Sequence, residues 1–438
     1  MSAPRLFDVH DFGAIGDGVA MDTGAIQRAV DAAGQERGGA RVLLRTGHTY
    51  LTGPLRLTGG IDFHLEGDAC LRVSANPADY ADREQGVLHA MSAHRLTISG
   101  SGSIDGRSPE FMERFDQADE WWIPKAFRPR LLVLEDCEDL RIRDVTFRQA
   151  PLWTVHLIGC RRVLIDRVTI ENQLDVPNCD GIDPDHCQDV EIRDCRITCG
   201  DDAIVVKATA GHERYGGSRN IHVHDCVLHT QDSGLKIGTE TVQDIHDLLF
   251  ERIRIVSGCR GLCIQLRDEG TVRDVIFRDI DFVSRYHSAP WWGRGEAISF
   301  TAIPRNADTK VGTIRNILVQ NVRGEAENSI RIEGLGGARV SDITLDNVDV
   351  SFERSTGYSG AVYDNRPTEV VEQIEPHSTV GISIRHADRI VLTDCQIQWG
   401  DVVPDYFSHA IQALDAPGLS IKGFQGVGAA SAQAINIG

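Results

Sequence analysis

A short pattern of alternating apolar residues, which returns along most of the chain, constrains the fold more than any other feature of the sequence. It alternates apolar and other residues, passes through Asp, Arg or Asn, and reaches an apolar anchor, as in 140–147 and 190–197. A period of two predicts strands with one buried face. The anchors are Val145, Val168, Cys195, Cys226, Ile253, Ile280, Val322, Val348 and Cys395.

The spacing of these anchors predicts a solenoid rather than a layered sheet. Successive anchors lie 23 to 31 residues apart, except for two gaps of 42 and 47 residues. No run of helical periodicity lies between the strands, which excludes βαβ units and favours one coil per repeat, stacked at roughly 4.8 Å. The sequence therefore predicts an all-β fold, a right-handed parallel β-helix, with long loops inserted at the two wide gaps.

The predicted organisation is one domain over residues 1–438, because a solenoid grows by adding coils to a single core. Residues 1–60 form the N-terminal cap region, 61–400 the coils, and 401–438 the C-terminal coil and tail. A capping helix is predicted over 22–34, with Asp22 or Thr23 as the N-cap and Gly34 at its end. Its apolar stripe is Ile26, Ala29, Val30 and Ala33.

Composition excludes several classes of partner. The net charge of −19 argues against non-specific binding to nucleic acid or to anionic membranes. No apolar run approaches the roughly 18 residues of a membrane span, and the N-terminus lacks the apolar region of a signal peptide. We therefore expect a cytoplasmic protein, or a secreted or periplasmic one if a leader was trimmed. Eleven cysteines without recurring C-x-x-C pairs predict buried, reduced thiols. The sequence leaves the oligomeric state open.

Stacked coils place equivalent residues in columns, and one set of columns is acidic. Asp201 and Asp202 lie six and seven residues after one anchor, and Asp232 and Ser233 take the same places one coil later. Stacked carboxylates repel one another, so a purely structural role is a poor use of them. Paired carboxylates suit glycoside hydrolysis, by retention or by inversion. The predicted acidic patch comprises four carboxylates, Asp180, Asp201, Asp202 and Asp232, and Asn178 lies at a similar place.

Three segments, 11–18, 178–183 and 200–204, resemble the polygalacturonases of glycoside hydrolase family 28, and the resemblance runs from about Phe7 to about Asp349. It implies a right-handed parallel β-helix that hydrolyses pectic and related glycosides with inversion. The family's Asn-Thr-Asp motif matches 178–180 with Cys in the middle, and its Gly-Asp-Asp motif matches 200–202. By this resemblance Asp201 is the general acid, and Asp180 and Asp202 hold the attacking water. We expect no metal or organic cofactor and an oligosaccharide or polysaccharide substrate.

Two other family motifs differ in this chain. The Gly-His-Gly motif falls on 232–234, which places Ser233 where the family has histidine, and the Arg-Ile-Lys motif, which grips the sugar carboxylate, falls on Cys-Ile-Gln at 263–265. Column alignment places Lys236 one coil from the missing arginine, Lys207 in the missing lysine's column, and Arg260 beside Ser233. These cations either bind substrate oxygens or neutralise the acidic patch. The predicted substrate-binding residues are Asn178, Lys207, Asp232, Ser233, Lys236, Arg260, Arg267, Trp291, Trp292 and Arg294.

Two predicted insertions carry tryptophan pairs. Trp291 and Trp292 lie in the 42-residue gap, and another pair lies within 119–124. Exposed indole faces stack on sugar rings, whereas buried ones pack a loop onto the solenoid. Insertions that close a groove into a pocket favour exo action.

Other functions remain compatible with a parallel β-helix, since fold alone does not fix function. A polysaccharide lyase would use the acidic patch for Ca²⁺. Residues 183–186 (Asp-Pro-Asp-His) resemble a uronate epimerase cluster, although His186 also suits a turn. The altered motifs permit a non-catalytic carbohydrate-binding protein.

Overall fold

The computed structural model describes residues 4–80 and 86–438, and it separates into two compact units. We call Met1–Asp201 the first half and Asp202–Gly438 the second half. Within the described ranges, no helix is both long and apolar enough to span a bilayer. The prediction of a single domain stays a prediction.

The first half is a parallel β-helix in which each complete coil contributes three short strands. Leu132, Val155 and Ile182 pair in register on one face, and Ile142 pairs with Ile165 on another. The strands are Arg5–Asp8, Asp17–Met21, Ala40–Leu44, Thr49–Thr52, Leu55–Arg56, Ile61–Leu65, Cys70–Val73, Leu88–Met91, Thr97–Ser99, Ser103–Asp105, Met112–Asp116, Trp121–Pro124, Leu132–Glu135, Glu138–Arg143, Thr146–Arg148, Val155–Ile158, Arg161–Asp166, Thr169–Glu171, Ile182–Asp185, Gln188–Arg193 and Arg196–Cys199.

The second half repeats the same parallel architecture, but several of its strands are long and continuous. Ile280, Val322 and Val348 pair in register across three such strands. The strands are Ile204–Ala208, Arg219–His224, Val227–Thr230, Ser233–Thr241, Ile245–Gly258, Arg260–Leu266, Val272–Ser284, Glu296–Ala302, Ile314–Ala326, Asn328–Gly334, Val340–Phe352, Val362–Asp364, Ile374–Pro376, Ile382–Arg385, Ala387–Thr393, Gln396–Trp399, Ile411–Leu414, Ser420–Lys422 and Ile435–Ile437. The predicted all-β parallel β-helix is confirmed.

The residue before each anchor explains the polar position of the repeat. It has a left-handed backbone, with φ of 65° at Asp144 and 53° at Asp194, so the chain bends there. Asp and Asn tolerate this conformation better than other non-glycine residues. All nine anchors that follow these bends are buried, as the alternation predicts.

The predicted capping helix spans Thr23–Ala33 and buries its apolar face. Asp22 takes the N-cap position, but its side chain makes no hydrogen bond to the helix. Its carboxylate instead accepts the backbone N–H groups of Ile15 and Gly16 at 2.7 and 3.0 Å. Asp22 therefore fastens the preceding loop. Short 3₁₀ helices span Val9–Phe12, Pro77–Asp79, Ser108–Phe111 and Glu213–Tyr215.

The eleven cysteines are all buried and none forms a disulfide. Their thiols fill space along the core, as expected for small apolar side chains in a reduced protein.

Candidate active site

A glycine packs the turn at 200–202 against the loop that precedes it. A Cβ atom at Gly200 would lie 2.2 Å from the carbonyl oxygen of Val176, so only glycine fits. The Gly200 N–H points to the Cys179 sulfur at 3.1 Å. Because strand Arg196–Cys199 ends at this turn, Asp201 lies beside the 178–180 segment.

This packing brings Asp180 and Asp201 together although they are distant in sequence. One carboxylate oxygen of each lies within 4.8 Å of the other, and Asp202, which is bonded to Asp201, meets the same limit. Asp180 and Asp202 are buried, and Asp201 is half-buried. The three carboxylates that the sequence predicted as catalytic therefore form one group.

Asn178 holds the carboxylate of Asp201. Its backbone N–H donates to Asp201 Oδ2 at 3.1 Å, and its side-chain amide reaches the same oxygen at 3.4 Å. Asn178 is exposed and left-handed, with φ of 59°, which aims both donors into the turn. The structure thus places Asn178 in the site, where it contacts the catalytic candidate directly.

Arg128 donates a hydrogen bond to Asn178, and the sequence did not predict this contact. Its guanidinium donates to Asn178 Oδ1 at 3.0 Å and to the carbonyl oxygens of Pro177 and Pro151 at 2.6 and 3.1 Å. Burial lowers the pKa of Arg128, and the nearby Asp201 carboxylate acts against that shift. Arg128 lies outside the repeat, so no periodic signal pointed to it.

In the second half, Asp202 is held by a backbone amide and a lysine. The Ser233 N–H donates to Asp202 Oδ1 at 3.3 Å, and Lys236 Nζ donates to Oδ2 at 2.7 Å. Burial lowers the pKa of Lys236, but the Asp202 and Asp232 carboxylates outweigh burial and raise it above its usual value. The hydroxyl of Ser233 donates to Asp232 at 2.9 Å.

Strand register confirms the column alignment made from the sequence as far as Val206, but not the column assigned to Lys207. Val205 pairs with Lys236, Lys236 with Cys263, and Ser233 with Arg260. Lys207 is buried and donates to Glu240 Oε2 at 3.3 Å. Sequence reasoning did not identify Glu240 as its partner, because a register irregularity after Val206 ends the simple alignment.

The structure does not offer the predicted arginines to a ligand. Arg260, Arg267 and Arg294 are buried and bonded to their own chain. Arg260 lies 3.6 Å from Glu296 and 3.9 Å from Asp232, which supports the neutralising role for this cation. Arg267 donates to backbone carbonyls, and burial lowers its pKa to about 9. Arg294 donates to three carbonyl oxygens of its own loop, those of Trp291, Gly293 and Ala289.

The two tryptophans of the predicted pair have different surroundings. Trp291 is buried and packs its loop, so the expectation that it stacks on sugar does not hold in this structure. Trp292 is half-buried, and its ring centroid lies 6.0 Å from Lys236 Nζ and 5.5 Å from the Arg366 guanidinium carbon. Trp292 therefore adjoins the lysine that holds Asp202. In the first half, Trp122 bonds the Asp175 carbonyl through its backbone at 2.9 Å.

Residues 353–381, which we call the covering loop, explain why the arginines are buried. This insertion fills the predicted 47-residue gap and contains an antiparallel hairpin, Val362–Asp364 with Ile374–Pro376. Its Asp364, Asn365 and Arg366 carbonyls accept hydrogen bonds from three side chains in, or directly after, strand Arg260–Leu266. The donors are Arg260, Arg267 and Gln265, at 3.3, 3.4 and 3.3 Å.

The three carboxylates are close enough to share a cation. They form the one group of this kind found in residues 4–80 and 86–438. Oxygen ligands suit a hard cation such as Ca²⁺, and they suit a water molecule equally well. Lys236 already brings a positive charge to Asp202, so the geometry by itself assigns no metal here.

The segment 183–186 is interior structure rather than an exposed cluster. His186 is buried with a left-handed φ of 54°, as a turn residue would be. Asp185 is buried and lies 3.3 Å from His156. This arrangement favours the turn interpretation of His186 over the epimerase one.

Comparison with known proteins identifies the family of the chain. The profile of Glycosyl hydrolases family 28 matches residues 41–362. A protein named "Probable polygalacturonase" from Vitis vinifera is 27% identical over 373 residues, which cover 78% of this chain and 73% of that protein.

Two solved structures share the fold. The exopolygalacturonase of Thermotoga maritima superposes with a TM-score of 0.72 at 21% identity, covering 91% of this chain and 93% of that one. The family 28 exopolygalacturonase of Yersinia enterocolitica gives 0.70 at 18% identity, covering 97% and 78%. The family match spans well over half of the sequence and includes the three carboxylates. The chain is thus a glycoside hydrolase and belongs to glycosyl hydrolases family 28.

Proposed function

We propose that this protein hydrolyses glycosidic bonds in pectic or related oligosaccharides, with inversion and from the chain end. The observation that carries the proposal is the convergence of Asp180, Asp201 and Asp202, each with an oxygen within 4.8 Å of the others. The names of the relatives, polygalacturonase and exopolygalacturonase, support the substrate class.

The surroundings of the carboxylates favour a division of labour between them. Asp201 is half-buried at the edge of the turn, and this partial exposure supports its role as the acid that protonates the leaving oxygen. Asp202 accepts a hydrogen bond from Lys236 on one oxygen, and with Asp180 it is assigned to hold the attacking water. Inversion is proposed from the family resemblance, and proton NMR of the first-formed anomer tests it.

The covering loop supports exo action. It buries outward-pointing side chains of strands Arg260–Leu266 and Asn328–Gly334, the latter through Arg331, which donates to Asn365 Oδ1 at 2.5 Å. A long polysaccharide cannot lie across strands that the protein's own loop occupies. Replacing 357–377 with a short Gly-Ser linker is expected to change the products of a polymeric substrate from monomer to mixed oligomers. Monomer as the sole product of both proteins would contradict exo action set by this loop.

The family cations that contact the sugar carboxylate are missing here, so the sugar that this enzyme accepts has to be found by a screen. The Arg-Ile-Lys motif is Cys-Ile-Gln here, and the arginines nearby are buried. Oligogalacturonides should be screened beside rhamnose- and galactose-containing oligosaccharides, with reducing ends measured after incubation. Release of reducing ends that requires Asp201 supports the proposal.

The same incubation separates hydrolysis from the alternatives. An unsaturated product that absorbs ultraviolet light, and that disappears on chelation, would indicate a Ca²⁺-dependent lyase. Binding without any product would indicate a carbohydrate-binding protein. Product formation unaffected by chelation, without new ultraviolet absorbance, is the result expected here.

A further inference from the structure

Lys236 faces Asp202 rather than open solvent. Its ammonium lies 2.7 Å from Asp202 Oδ2, while the Ser233 N–H takes the other oxygen at 3.3 Å. Two anchored donors, one on each oxygen, fix the plane of the carboxylate. Lys236 itself is buried, with 4% of its surface exposed.

The two residues that stack directly against Lys236 on the neighbouring coils are not cations. Val205 pairs with it on one side and Cys263 on the other, so neither neighbour in the column offers a second cation. The Trp292 ring lies 6.0 Å from the ammonium, within the range of a cation–π contact. Other titratable groups that act on Lys236 include Asp232, Lys207, Glu240 and Cys263.

We propose that Lys236 is a positioning residue that fixes the Asp202 carboxylate for the attacking water, and that it is not a ligand of the sugar carboxylate. The inference rests on the proposed function. Its physical basis is that Asp202 shares its site with two other carboxylates, which repel it, and Lys236 supplies the countercharge.

Steady-state kinetics of Lys236→Met and Lys236→Arg test the proposal. Lys236→Met is expected to lower kcat by about 10²-fold, the effect of a misplaced catalytic group, with little change in KM. The loss should be equal on charged and neutral oligosaccharides, the acid side of the kcat profile should move to higher pH, and Lys236→Arg should recover part of kcat. Arg193→Met removes the cation that bonds a different buried carboxylate, Asp166, and should keep the wild-type acid limb.

Two kinetic outcomes would overturn the proposal. A selective rise in KM for uronate substrates, with kcat unchanged, would make Lys236 a sugar ligand. A variant with wild-type kcat, KM and pH profile would remove any role for it.

A stability cycle keeps the test decisive if Lys236→Met folds poorly. Thermal unfolding is compared for Asp202→Asn, Lys236→Met and the double variant. Because each single change leaves one buried partner uncompensated, the double variant should lose less stability than the two singles combined. Additive losses would overturn the contact. If Asp202→Asn instead keeps full activity, the proposed function fails, while the cycle still decides the contact.

Discussion

Asp201 and Asp202 are consecutive residues of the same type, yet the chain holds them in different ways. Asp201 accepts hydrogen bonds from the backbone and side-chain amides of Asn178, which are neutral donors. Asp202 is buried and accepts a hydrogen bond from the Lys236 ammonium. Identical side chains acquire different chemistry when their environments favour different protonation states. The comparison teaches that the two carboxylates differ in their partners rather than in residue type, and the proposed roles of acid and base depend on that difference.

The largest expected effect comes from Asp180, which with Asp202 is assigned to the water. Asp180→Asn is expected to lower kcat by about 10²- to 10⁴-fold, because the amide cannot accept a proton from the water. Steady-state rates on the best oligosaccharide from the screen measure the loss. Asp166→Asn, which changes a buried carboxylate bonded to Arg193, is the matched control and should keep kcat. Near-wild-type activity of Asp180→Asn would contradict the assignment of Asp180 and Asp202 to the attacking water.

A smaller effect is expected where neutral donors hold Asp201. Asn178→Ala removes the side-chain amide that donates to Asp201. It also removes the side-chain oxygen that accepts a hydrogen bond from Arg128. A hydrogen bond to a charged group contributes about 1.5–3 kcal/mol, so kcat is expected to fall about tenfold or more. Asn347→Ala is the control, because Asn347 is also left-handed and bonds a side chain, that of Asn321, on the surface. Equal kcat in both variants would remove Asn178 from the account of Asp201.

The smallest effect concerns stability in acid. Burial raises the pKa of Glu240, but nearby cations, Lys207 foremost, outweigh burial and lower it to about 2. A carboxyl group whose pKa is lowered on folding stabilises the protein above its ordinary value of 4.5 and loses that contribution as pH falls toward 2. With the side chain 35% exposed, we expect the contribution to be about 1 kcal/mol.

Glu240→Gln tests this expectation through the free energy of unfolding as a function of pH. The variant should be less stable than the wild type at neutral pH, and the two curves should converge in acid. A constant difference across the whole range would show that Glu240 does not titrate in this way.

The sequence predicted those features that depend on the regular repeat of the coils. The buried anchors and the stacking of Lys236 between Val205 and Cys263 both depend on register, which alternation encodes. The convergence of Asp180 with Asp201 followed from the same register and from the resemblance of two motifs.

The sequence did not predict what the insertions do. Arg128 reaches Asn178 from a segment without a period, and the covering loop buries Arg260 and Arg267, two residues expected to contact substrate. How a long insertion folds depends on long-range contacts, which local alternation does not encode. The sequence left open whether Lys236 binds substrate or neutralises the acidic patch, and its hydrogen bond to Asp202 became visible only in three dimensions.

Rates on aryl glycosides with activated leaving groups test the central claim most directly. Asp201→Asn and Asp202→Asn are compared on a natural oligosaccharide and on an aryl glycoside of the same sugar. A good leaving group departs without protonation, so Asp201→Asn should recover most of its activity on the aryl glycoside, whereas Asp202→Asn, which lacks a base, should stay slow on both. Equal recovery of the two variants, or recovery of Asp202→Asn alone, would contradict the assignment of acid and base.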